Sequence, residues 1–101
     1  MAEPIPNPQI AQFLIDYPNR QLDGNMLVAA YDFETFLEAI DFVTQIAEVI
    51  EHLQHHPDIL IRWNKVSLTL STHDAGGVTE KDFEMAKCTD AIANRYPSAA
   101  S

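Results

Sequence analysis

The chain has 101 residues, 47% hydrophobic and 21% charged, which suits one globular domain burying roughly 65% of its unfolded surface. Six Lys and Arg against 15 Asp and Glu leave a net charge of -9, so the field repels nucleic acid and anionic lipid, whose binding needs clustered cations. Cys88 stands alone and rules out an intrachain disulfide; with no basic and apolar secretory leader and no run long enough to span a bilayer, a reducing, cytoplasmic setting is expected.

The first eight residues carry three prolines, and 1–7 read as an extended tail. A short helix is expected over Pro8–Asp16, with Ile10, Phe13 and Leu14 on one face, ended by Tyr17-Pro18-Asn19. Asp23-Gly24 signals a hairpin turn between Arg20–Leu22 and Met26–Tyr31. The clearest element spans Glu34 to Leu53, where Phe36, Ala39, Ile40, Val43, Ile46, Ala47, Ile50 and Leu53 recur at helical spacing. Asp32 is its expected N-cap, and Pro57 stops the chain from continuing it.

Ile59–Trp63 and Val66–Thr72 read as two strands joined at Asn64-Lys65. In the second, Val66, Leu68 and Leu70 alternate with Ser67, Thr69 and Ser71, as on a strand with one buried face. Asp74-Ala75-Gly76-Gly77 is a loop, and Thr79-Glu80-Lys81-Asp82 is a capping box opening a last helix to about Asn94. Residues 97–101 read as a second tail. The order α-β-β-α-β-β-α predicts an α+β, two-layer fold: a four-stranded antiparallel sheet with about three helices packed on one face.

All four histidines, His52, His55, His56 and His73, fall within 22 residues. Imidazole exchanges protons near neutrality, so such a group suits acid/base chemistry. Glu51 and His55 stand at i, i+4 and share a helix face, as do His52 and His56. Each residue also has a plainer reading. A histidine ending a helix can be a cap, and His73 a turn residue. Asp82 is explained by the capping box, Glu51 by solvation, Trp63 by a place in the core, and Cys88 by its helical spacing with Met85 and Ile92. A zinc-protease helix needs His-Glu-x-x-His; here His52-Leu53-Gln54-His55-His56 carries no acid between the i, i+4 pair, and His55 stands where the inverted motif needs Glu.

Together, Glu51-x-x-x-His55-His56-Pro57, Trp63, His73 and Asp82 at these spacings resemble the signature of the pterin-4a-carbinolamine dehydratase family. The strings His55-His56-Pro57-Asp58, Trp63-Asn64-Lys65-Val66, Leu70-Ser71-Thr72-His73 and Gly77-Val78-Thr79-Glu80-Lys81-Asp82-Phe83 share that resemblance, which covers roughly residues 26 to 95. It implies a lyase that dehydrates a 4a-hydroxytetrahydropterin to a quinonoid dihydropterin, with no metal and no redox cofactor. It implies His55, His56 and His73 as catalytic groups, with His56 the leading acid/base. Glu51 would orient His55, while Pro57, Trp63 and Asp82 would support or bind the pterin. It further implies a homodimer or homotetramer, a small-molecule pterin as partner, and no direct nucleic-acid or membrane partner. The chain departs from many relatives at Gln54, where they carry Asp or Asn, at Ile59 and Leu60, and in lacking an N-terminal tryptophan. The competing expectation is a non-catalytic interaction protein on the same fold, either coactivator-like or an assembly factor. The resemblance implies that relatives of the assembly-factor kind have lost the His-His pair, which this chain keeps.

Overall fold

A computed structural model describes residues 3–97. The elements run α1 (Asn7–Asp16), β1 (Arg20–Asp23), β2 (Met26–Asp32), α2 (Phe36–Leu53), β3 (Asp58–Arg62), β4 (Lys65–Leu70), a 3₁₀ turn (His73–Ala75) and α3 (Glu80–Ala93). The strands form one antiparallel sheet in the order β1-β2-β4-β3. The expected α+β architecture is therefore the one observed.

Period-2 alternation sets the layers. Leu27, Ala29 and Tyr31 of β2 and Val66, Leu68 and Leu70 of β4 are buried on one face. Against them pack Ala39, Phe42, Ile46 and Ile50 of α2 and Phe83, Met85, Ala86 and Ile92 of α3. Helix α1 joins through Phe13, whose ring stacks on Phe83 at 4.0 Å between centroids. The opposite sheet face carries Val28, Ala30, Ser67 and Thr69, none of them buried.

Several boundaries differ from expectation: β4 runs Lys65–Leu70 rather than Val66–Thr72, and other differences have local reasons. The cap of α2 is Thr35, not Asp32: the Thr35 hydroxyl accepts from the Glu38 amide at 3.1 Å. Asp32 instead ends β2, where its carboxylate accepts from Lys65 Nζ at 2.7 Å. Strand β3 is shifted one residue toward the N-terminus, and Trp63 is left in the turn with φ 58°. Trp63 is 78% exposed, so the core reading of this tryptophan does not hold. Finally, Ile5 is buried and donates its N–H to Val78 O at 2.7 Å, so the N-terminal segment is tied to the fold at that point. Residues 1–2 and 98–101 of the expected tails lie outside the described residues.

Candidate active site

One end of the sheet collects three connections. The β1–β2 turn lies on one side, the His55-His56-Pro57 link into β3 on the other, and the loop after β4 between them. Helix α2 stops abruptly here. Gln54 adopts the left-handed conformation at φ 53°, and its side-chain amide donates to Glu51 O at 2.6 Å. That reversal takes His55 and His56 off the helix and turns them in different directions. His55 points inward, with its side chain 11% exposed, while His56 stays in solvent at 62%.

His55 Nε2 lies 2.5 Å from Asp82 Oδ1. Asp82 is wholly buried at the N-terminal turn of α3. Its other oxygen, Oδ2, accepts the Thr79 N–H at 2.9 Å and the Thr72 hydroxyl at 2.9 Å. The Thr72 and Thr79 hydroxyls are 2.6 Å apart, and Thr79 Oγ1 accepts from the Lys81 amide at 3.3 Å. A hydroxyl has one proton to give. With Thr72 donating to Asp82, the proton between the threonines belongs to Thr79. The order of donation is therefore Lys81 N–H to Thr79, Thr79 to Thr72, and Thr72 to the carboxylate. With Oδ2 occupied by these donors, Oδ1 faces the imidazole and accepts the Nε2–H of His55. Nδ1 is then the ring atom free to exchange a proton, an assignment that follows from the hydrogen-bond network.

His73 opens the 3₁₀ turn directly after Thr72. It lines an open concavity of about 230 Å³ with Asn25, Met26, Ser71, Thr72, Gly76 and Gly77. Thr72 closes this loop through its backbone. Its N–H donates to Gly77 O at 2.9 Å, and its carbonyl accepts from Ala75 and Gly76 at 3.0 Å each. Gly76 sits at φ 75°, where a side chain would be strained.

The expected residues thus divide. His55, Asp82 and the start of the His73 loop are joined by one hydrogen-bonded network, with His56 and Pro57 adjacent in the chain. Glu51 does not reach His55 but stands 3.7 Å from His56 Nε2, both side chains being exposed. Trp63 does not join the group: five β3 residues separate it from Pro57, or roughly 17–20 Å of extended chain. Asn64 holds that turn in place by donating from its side chain to Phe33 O at 2.9 Å. Among the described residues, no three His, Cys, Asp or Glu gather as a metal-holding group. Sequence reasoning missed Thr72 and Thr79 as parts of the site. For Thr72 the signal was present. It continues the Val66, Leu68, Leu70 register onto the buried face, where a hydroxyl must find a partner.

The family model for pterin 4 alpha carbinolamine dehydratase matches residues 3–92. A protein of Thermomicrobium roseum, provisionally named pterin-4-alpha-carbinolamine dehydratase, is 47% identical over 78 residues, covering 77% of this chain and 84% of its own. One from Picosynechococcus, with the same provisional name, is 41% identical over 92 residues, covering 91% and 100%. A crystal structure from Brucella melitensis, described as a transcriptional coactivator/pterin dehydratase, superposes with a TM-score of 0.85 at 33% identity, covering 89% of this chain and 98% of that one. A pterin dehydratase-like protein described as a RuBisCO assembly factor of the alpha-carboxysome shares the fold, with a TM-score of 0.60 at 24% identity, covering 72% and 84%.

Proposed function

Because the chain belongs to the pterin-4a-carbinolamine dehydratase family, we propose that it dehydrates a 4a-hydroxytetrahydropterin to the quinonoid dihydropterin. The observation that carries this reading is the His55–Asp82 contact, which leaves an oriented imidazole at the sheet end shared with His56 and His73.

The reaction breaks the C4a–O bond. The leaving hydroxyl takes up a proton and departs as water. The adjacent ring nitrogen loses a proton as its lone pair forms the new double bond to C4a. No electrons leave the substrate, so the chemistry asks only for one proton donor and one acceptor. Imidazoles in different protonation states meet that need near neutral pH. His56, exposed and free to turn toward a ligand, is our choice for the essential acid/base. His55, whose Nε2 is held by Asp82, offers Nδ1 as an oriented partner. His73 lines the neighbouring concavity and completes the set. Pro57 rigidifies the link that carries the pair. Glu51 is better suited to His56 than to His55, given its 3.7 Å approach. The test is an assay with synthetic 4a-hydroxytetrahydropterin. Acceleration over the buffer reaction supports the proposal, and none contradicts it.

Assembly into a homodimer or homotetramer belongs to the same reading. Strand β3 is a sheet edge with Ile59 and Leu60 exposed, and α2 exposes Phe36, Leu37 and Ile40. Bare strand edges and apolar surface favour a partner. The same surfaces favour a second reading, an interaction role beside catalysis, in keeping with the coactivator description of the Brucella relative. No helix among the described residues is long and apolar enough to cross a membrane, and a cytoplasmic setting follows from the dehydratase reading.

A further inference from the structure

We propose that Thr72 is a positioning residue whose hydroxyl fixes the Asp82 carboxylate and, through it, the tautomer and orientation of His55. The inference rests on the dehydratase reading for its rate effect but not for its spectroscopic one.

Two sets of contacts converge on Thr72. Its hydroxyl donates to Asp82 Oδ2 at 2.9 Å and receives the Thr79 hydroxyl at 2.6 Å. Asp82 Oδ1 in turn holds His55 Nε2 at 2.5 Å. Its backbone, meanwhile, closes the loop that begins at His73, binding Gly77 through N–H and Ala75 and Gly76 through the carbonyl. One residue thus sets the rotation of the carboxylate on one side and the start of the His73 turn on the other. Thr72 and Asp82 are both buried, so water does not readily replace a lost partner.

A buried carboxylate has a torsion that is broad on its own. Here Oδ2 is held by two donors, and this directs Oδ1 at the imidazole. Without the Thr72 hydroxyl, Oδ2 keeps only the Thr79 N–H, and the Thr79 hydroxyl loses its acceptor. The carboxylate is then free to turn toward Thr79. His55 loses the fixed acceptor that selects its Nε2–H tautomer. A purely structural role for Thr72 would lower stability and leave the tautomer and kcat of the folded protein unchanged.

The test compares Thr72→Val, which keeps the β-branched shape, with Thr72→Ser, which keeps the hydroxyl. Two quantities are read on folded protein: steady-state dehydration, and the ring ¹⁵N signals of neutral His55. Thr72→Val should lower kcat about tenfold, the size of one hydrogen bond to a charged group, with KM within about twofold. Its His55 ring should change from the Nε2–H form to a mixture of tautomers. Thr72→Ser should restore both to within about twofold of the parent. Should Thr72→Val not fold, Thr72→Cys, a weak donor, should give the tautomer mixture and an intermediate rate. Parental kcat and ring signals in folded Thr72→Val or Thr72→Cys would overturn the proposal, as would a folded Thr72→Ser that rescues neither. An inactive parent whose ring signals still respond to Thr72→Val would sink the dehydratase reading and leave the positioning of His55 standing.

Discussion

His55 and His56 are neighbours in the chain and opposites in environment. One is held against a buried carboxylate and the other stands in solvent. Under the proposed chemistry His56→Ala should reduce kcat by about 10²–10⁴, the usual effect of losing a general acid or base. His52→Ala, one turn earlier on exposed helix surface, should stay within about twofold of the parent. Circular dichroism establishes that both fold, and equal losses in kcat would show the assignment to be wrong. The histidine pair was legible because type and spacing alone mark it. The carboxylate serving His55 was not. Glu51 was expected there because i and i+4 share a face on a continuous helix. Gln54 in the left-handed region breaks the helical phase just before His55, so the spacing rule no longer applies. Asp82 lies 27 residues away, and only the packing of α3 against the sheet end brings it to the ring.

The elements themselves were largely readable, since α2, β4 and α3 carry strong periodicity or caps. What escaped was the position of ends, as with Thr35 in place of Asp32 and Trp63 in the turn. Ends depend on which side chain reaches a free amide and on where a hairpin must reverse, and several residues compete for both. The Trp63 turn offers a direct check. A tryptophan at φ 58° holds a backbone conformation that costs glycine little, and its ring is mostly exposed. Trp63→Gly should therefore be neutral or raise stability by up to about 1 kcal/mol in urea unfolding. It should leave kcat unchanged, given the distance from the histidines. A large loss of turnover would mean that Trp63 touches substrate after all. A second check concerns the contact of β1 and β2 with α3. Burial, reinforced by Asp90, pushes the Tyr31 hydroxyl from 10.0 up to about 12. The folded chain thus keeps this proton where the unfolded chain has released it. The stabilisation is complete below pH 10 and is lost as pH rises from 10 toward 12. Urea midpoints should fall across that window in the parent and fall less steeply in Tyr31→Phe. Identical slopes would contradict the assignment.

At the scale of the whole molecule, the two layers leave one sheet face and the β3 edge without cover among the described residues. The proposed assembly would cover part of this surface, and sedimentation at micromolar concentration should report a dimer or tetramer. A species of 11.3 kDa alone would refute it. The fold class was legible at this scale because two hairpins and three amphipathic helices leave few ways to build a single core. The state of assembly was not, because a single chain carries its surface but not what meets it. Under the proposed function, this sheet end performs a proton-transfer dehydration with its own imidazoles. The most direct measurement is the initial rate of 4a-hydroxytetrahydropterin dehydration by the parent protein, with a chelator present and compared with buffer. The expected result is acceleration that the chelator does not reduce. A rate equal to buffer would contradict the enzyme reading, and activity lost to the chelator and regained with zinc would contradict the imidazole chemistry.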